Sequence, residues 1–173
     1  MVDYDPSKLP DGFDHQAFLS IDSTNRQAMR KLDEGRAHGL WITSSEQTMG
    51  RGRSGRDWVS KPGNLYCSLI HKVDDDIRKS AQLTFVASLA VRDTIAEFVN
   101  PDTVKCKWPN DVLAGGRKIS GILLESHQGK DGSNYMIIGI GINSIWYTIS
   151  IGVNQCTGLA KVIATAIQCR LIR

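Results

Sequence analysis

Residues 48–58 read TMGRGRSGRDW, and the segment directly after them decides which folds are open to the chain. The core, Gly50-x-Gly52-x-x-Gly55, spells a dinucleotide-binding fingerprint. That fingerprint needs a strand, a tight turn and a helix whose N-terminal amides receive a pyrophosphate. Here DWVSKPGN comes next, so Pro62-Gly63 stops any helix within two turns, and the apolar run NLYCSLI begins directly afterwards. The segment is therefore strand, loop, strand, and a doubly wound fold built on it is excluded. A Walker loop is excluded as well, because no Gly-Lys-Ser/Thr closes the stretch. Something else must pair three glycines with three arginines.

The remaining chain supplies more strands than helices. HQAFLSI predicts a strand, after which Ser23 or Thr24 caps a helix running through Ala37. GLWITSS and NLYCSLIHKV predict strands on either side of the arginine–glycine loop. Leu83, Val86, Ala87, Ala90, Val91 and Ile95 form a helical stripe within residues 77–99. VKCKW places Val104, Cys106 and Trp108 on one face, with Trp108 read as an inward-facing core aromatic. DVLAGGRKISGILLES predicts a hairpin turning at Gly115-Gly116, and YMIIGIGIN a last strand. Strands joined by hairpins give an α+β domain on a mixed, largely antiparallel sheet, with two helices expected to cover one face.

With 173 residues, one domain suffices. The net charge of +3 belongs entirely to Lys161, Arg170 and Arg173 in the acid-free stretch 144–173, so residues 1–143 are neutral and offer no broad polyanion footprint. Duplex DNA is accordingly not an expected partner. Four cysteines make no Cys-x-x-Cys pair, and Cys67 and Cys106 fall in strand-like alternation as small buried thiols, which points to a cytoplasmic location. The first residues are acidic and without an apolar core, no run approaches membrane-spanning length, and no membrane partner is expected. The four histidines lack metal-ligand spacing.

Three stretches carry the chemistry: DSTN at 22–25, EQTMGRGRSGRDW at 46–58 and KWPNDVLAGGRKISGILLE at 107–125, with GIGIN at 139–143 in addition. Together they resemble the catalytic domain of biotin protein ligases over roughly residues 15–143. The resemblance implies a fold related to class II aminoacyl-tRNA synthetases. It also implies ATP and Mg²⁺ as cosubstrates, biotinyl-5'-AMP as intermediate, and transfer of biotin to a lysine of a biotin carboxyl carrier domain, in a protein that can dimerise. The related lipoate and octanoate transferases share that fold but lack this Gly-Arg-Gly-Arg-x-Gly loop. Domain 1–143 is then the N-terminal part of the catalytic domain. The twenty or so residues before DSTN are too few for a helix-turn-helix module, and 144–173 does not match the family's continuation and C-terminal β-barrel.

Joining a carboxylate to an α-phosphate brings two anions into bonding distance, so such a site must supply fixed positive charge and oriented donors. Arginines give the charge, and glycines let main-chain N–H groups reach the ligand and let the loop act as a lid. By resemblance, Ser23, Thr24 and Gln47 face the biotin ureido ring. Gly50, Arg51 and Gly121 belong to the biotin side, with main chain near Arg51 and Arg53 holding the carboxylate. Arg53, Arg56, Trp58, Asn110 and Asn143 face the nucleotide, Trp58 as adenine wall or loop anchor. Lys118 lies between carboxylate and α-phosphate. Asp111 orients the acceptor amine or takes its proton, and no metal ligands are assigned.

Bland alternatives stand beside these roles. Arg51 and Arg56 fit ordinary solvated loop charges, Asp111 fits a turn, and Trp58 fits a core aromatic. The tail reads as foreign to the domain, as a displaced reading frame would be, and leaves open an incomplete, inactive ligase. On that reading Ile145, Trp146, Ile149, Ile151, Val162, Ile163 and Ile167 are expected to lie partly exposed.

Overall fold

The computed structural model describes residues 9, 12–36, 38–73 and 79–143, together with residues 163, 166 and 167. Among the described residues seven strands form one sheet: β1 (Asp14–Ile21), β2 (Leu40–Gln47), β3 (Leu65–Val73), β4 (Val104–Lys107), β5 (Asp111–Ala114), β6 (Arg117–Gln128) and β7 (Asn134–Ile142). Their order is β1-β2-β3-β7-β6-β5-β4. Only β1–β2 is parallel, and the helix α1 (Thr24–Asp33) makes that crossover. All other neighbours are antiparallel, as the hairpin reading anticipates. The second helix, α2 (Leu83–Ala96), comes after a short 3₁₀ turn.

The two helices do not share a face. Along β7 the even positions Met136, Ile138, Ile140 and Ile142 pack with Ala87, Ala90, Val91 and Ile95 of α2. The odd positions Tyr135 and Ile137 pack with Ala28 and Leu32 of α1. Since alternate strand residues point to opposite sides, α1 and α2 cover opposite faces, which corrects the one-face arrangement. The α1 layer is short. It covers Tyr135 and Ile137 and reaches Gly139 through Asn25 in its first turn, and Gly139 and Gly141 form part of the wall of a cleft.

Local boundaries differ where glycine or packing decides. Helix α1 ends at Asp33 rather than Ala37, because Gly35 takes φ +89° and its N–H bonds back to Leu32 O, closing the last turn. Ser23 holds the N-cap position without a side-chain cap bond. Gln47 of β2 does that work instead, its Oε1 accepting from Thr24 N at 2.8 Å and from Thr24 Oγ1 at 3.1 Å. On β4 only Val104 is buried. Trp108 falls past the strand's end, beside a cis Trp108-Pro109 bond, and is 77% exposed, so it is no core aromatic. Cys67 is buried as expected, whereas Cys106 is exposed.

In the region after residue 143, Ile163 and Ile167 are helical, fully buried and part of the α2-side core, with Ala166 packed against it. The expectation that Ile163 and Ile167 lie exposed is therefore wrong for both. Ile145, Trp146, Ile149, Ile151 and Val162, like Cys156 and Cys169, lie outside the described residues. No helix among the described residues is long and apolar enough to cross a membrane.

Candidate active site

The arginine–glycine stretch forms an ordered hairpin rather than an open loop. Gln47 bridges Ser60 and Arg51 bridges Asp57, while Trp58 N donates to Gly50 O at 3.0 Å and Gly52 N to Arg56 O at 2.7 Å. The tip is a single 3₁₀ turn over Arg53–Gly55, in which Ser54 (φ +57°) and Gly55 (φ +71°) are left-handed. No helix opens there, in agreement with rejecting the dinucleotide fingerprint. Gly50 is needed for close approach: a Cβ on it would sit 2.4 Å from Trp58 O and 2.5 Å from Ser60 Oγ.

This hairpin roofs a cleft of about 500 Å³ on the α1 face of the sheet, a volume suited to a small-molecule ligand. Of the residues expected there, Ser23, Thr24, Gln47, Arg51, Arg53, Arg56, Trp58, Asn110, Asp111, Lys118 and Gly121 all line it. Gly50 and Asn143 do not. Gly50 is buried in the hairpin stem, and Asn143 closes β7, its N–H donating to Ile119 O at 2.8 Å.

The floor is main chain. Gly121 and Gly141 are paired across β6 and β7, and Trp58 lies over both: a Cβ on Gly141 would sit 2.7 Å from the indole Nε1, and one on Gly121 would sit 3.0 Å from the ring. Trp58 thus anchors the hairpin to the sheet. Lys118 Nζ lies 5.1 Å above the same ring and 2.7 Å from Asp111 Oδ1. A bulge makes this convergence possible. Asp111 pairs Gly121 and Val112 pairs Ser120, yet Leu113 pairs Lys118, so Ile119 is the extra residue. It shifts the phase of β6, and Lys118 and Gly121, three residues apart, both face the cleft while Ile119 and Ile122 both enter the core.

One end of the cleft is neutral and the other cationic. At the neutral end Gln47 is largely committed: beyond its two bonds to Thr24, its Nε2 donates to Ser60 Oγ at 3.0 Å, and Ser60 Oγ donates to Trp58 O at 3.0 Å. At the other end Arg53 Nη1 donates to Asn110 Oδ1 at 3.0 Å, and Asn110 Nδ2 donates to Ile122 O at 2.8 Å, so Asn110 ties the hairpin tip to β6. Arg56 and Lys107 are exposed along this end and add positive charge. Beside α1, Asp22 is clamped by Arg30 through contacts of 2.7 and 3.0 Å. That hydrogen bond, aided by the Ser23 N–H and by the charges of Arg30 and Arg26, outweighs partial burial and holds the Asp22 carboxyl down at about 2.

Several cleft residues escape the sequence reading. Asn25, Asp57, Lys107, Trp108, Gly139 and Gly141 line the cleft, and Glu125 and Ser68 support it from beneath. The alternation Gly139-x-Gly141 carried the signal for two of them, since glycines two apart in a strand bare one face. Glu125 is masked by the bulge, which breaks the count from Lys118.

The family model for biotin/lipoate A/B protein ligases matches residues 17–143. A biotin–[acetyl-CoA-carboxylase] ligase of Paracoccus denitrificans is 42% identical over 123 residues, covering 70% of this chain and 51% of that protein. The bifunctional ligase/repressor BirA of Bacillus subtilis is 40% identical over 124 residues, covering 71% of this chain and 38% of that protein. This chain thus spans about half the length, or less, of these curated relatives. Among solved structures, the biotin protein ligase from Aquifex aeolicus in complex with biotin and ATP superposes with a TM-score of 0.69 at 29% identity, covering 92% of this chain and 70% of that one. The Leishmania major biotin protein ligase in complex with biotinyl-5-AMP gives 0.65 at 27% identity, covering 91% and 73%. A seven-stranded mixed sheet carrying an arginine–glycine hairpin over a glycine floor, matched over this length, makes the chain a member of the biotin/lipoate A/B protein ligase family.

Proposed function

We propose that the cleft activates biotin with ATP as biotinyl-5'-AMP and passes the biotinyl group to a lysine of a carrier domain. The observation that carries this reading is the polarity of the cleft, a neutral polar end at Ser23, Thr24 and Gln47 and a cationic end at Arg53, Arg56 and Lys118, on one glycine floor. A ligand with an uncharged ureido head and a carboxylate tail fits that gradient. The relatives named as biotin ligases, and the neighbours holding biotin with ATP or biotinyl-5-AMP, support it.

In the first step a biotin carboxylate oxygen attacks the α-phosphorus, the bond to the β-phosphate oxygen breaks, and pyrophosphate leaves. Lys118, a compact cation opposed by Asp111, tracks the oxygen through the displacement, and Arg53 holds the resulting phosphate. A magnesium ion carried by ATP would draw on Asp111 and Asp57, carboxylates that line the cleft, and would supply charge neutralisation on the phosphates. In the second step the acceptor amine attacks the anhydride carbon and AMP departs. A lysine of pKa about 10.4 must lose its proton first, and on this reading Asp111, released from Lys118, takes it.

The test is exchange of labelled pyrophosphate into ATP by the purified protein. Biotin-dependent exchange is expected. Exchange driven by lipoate or octanoate instead of biotin overturns the assignment of substrate.

A further inference from the structure

Beneath the hairpin lies a chain of polar contacts that the reaction itself does not use. Arg51 Nη2 lies 3.1 Å from Glu125 Oε1 and 3.4 Å from Oε2. The second carboxylate oxygen accepts from Asn25 Nδ2 at 2.7 Å. Asn25 Oδ1 in turn accepts from Ser68 Oγ at 2.5 Å, and Ser68 Oγ lies 2.8 Å from Thr24 Oγ1. Asn25 and Ser68 are buried, and Gly139 is the residue that makes room, since a Cβ there would meet Asn25 Oδ1. A helix, two strands and the hairpin therefore meet at one carboxylate.

We propose that Glu125, aimed by Asn25, is a positioning residue that fastens the hairpin over the cleft through Arg51. Asn25 occupies one oxygen and fixes the plane of the carboxylate, so the other faces the Arg51 guanidinium. Arg51 bridges Asp57 across the hairpin, so holding its side chain holds both strands of the roof at their middle. The stem is held separately, through Gln47 and Ser60, and the tip through Arg53 and Asn110. Trp58 adds an apolar anchor on Gly121 and Gly141. Among these fastenings the middle one joins opposite charges, and a partly buried charge pair is costly to break because each partner is left without its counter-charge. The Arg51 charge is thereby spent on the roof, leaving Arg53, Arg56 and Lys118 to meet the anion. The role for ligand retention rests on the proposed biotin reading, while the fastening itself does not.

The experiment uses limited trypsin digestion of the ligand-free full chain, monitoring cleavage after Arg53 and Arg56. Glu125→Gln is expected to raise the cleavage rate about tenfold, the scale of one charge-assisted contact, with the far-UV circular dichroism of the folded protein retained. Arg51→Gln, which breaks the pair from its more exposed side, should match it, and combining the two should add nothing further. Biotin KM should rise by a larger factor than kcat falls, because the roof retains the ligand rather than reacting with it. Parental cleavage rates in both single variants, or additive effects in the double variant, overturn the fastening. Failure of the parent protein to bind biotin while the cleavage difference persists overturns the substrate reading and leaves the fastening standing.

Discussion

Lys118 owes its place to one extra residue. The bulge at Ile119 turns it into the cleft, against Trp58 and opposite Asp111. Lys118→Ala should abolish or severely slow adenylate formation, since a single preorganised donor of this kind is worth about 3 kcal/mol. Biotin affinity should change much less. Pyrophosphate exchange by the alanine variant at the parental rate would remove Lys118 from the role. Gly139→Ala makes a second residue-scale test. Its methyl would collide with Asn25 Oδ1, so a buried amide must abandon its partners at a cost of about 1–3 kcal/mol, readable as a lower urea midpoint. Lys118, Arg53 and Gly121 were legible in the sequence because the motifs that contain them are contiguous. Asn25 and Glu125 stand in quoted stretches as well, but their pairing was not legible, since they sit 100 residues apart and meet only through the α1 crossover and the phase shift in β6.

Among the elements, the hairpin and α1 determine how the cleft closes. Arg53 reaches from the hairpin tip to Asn110, so Arg53→Gly should let the adenylate form and then escape faster. Labelling of bystander lysines in solution is the readout, and an unchanged adenylate off-rate would refute the clamp. Helix α1 carries a pH dependence. The Asp22 carboxyl, held down chiefly by its bond to Arg30, contributes stability that is complete above the ordinary carboxylate value near 3.8 and is lost as pH falls toward about 2. Acid melts of the parent should steepen across that window, and Asp22→Asn should flatten them there. Period-2 and period-3.6 patterns gave the strands and α2 closely. Helix α1 was overextended because the sequence pattern hides the backbone φ at Gly35, and Trp108 was turned inward because alternation was carried one residue beyond the end of β4.

For the molecule as a whole, the core does not end with the last matched motif. Ile163 and Ile167 fill the α2 side of the sheet along with Val91, Ile95 and Ile138. Ile167→Ala should therefore cost about 2–5 kcal/mol, as for other fully buried aliphatic truncations, and a cost below about 0.5 kcal/mol would restore the view of the tail as foreign. Composition misled here: core residues such as Ile163 and Ile167 carry no charge, and charge bookkeeping cannot separate an apolar core contribution from random sequence. The opposite faces of the helices were hidden for a related reason, since β7 is apolar on both sides until Gly139.

The glycine floor also sets how such a site can change its ligand. A pocket lined by side chains can be enlarged by trimming them or reshaped by exchanging them, and drift supplies both. Gly121, Gly139 and Gly141 offer nothing to trim, and every substitution there is an addition that lifts the floor toward Trp58 or Asn25. Adaptation to a longer or thicker acid must come from the roof, at Trp58, or from the side, at Leu123, with the sheet acting as a fixed datum. Laboratory libraries that hold the three glycines constant and vary those two positions should hold the usable diversity.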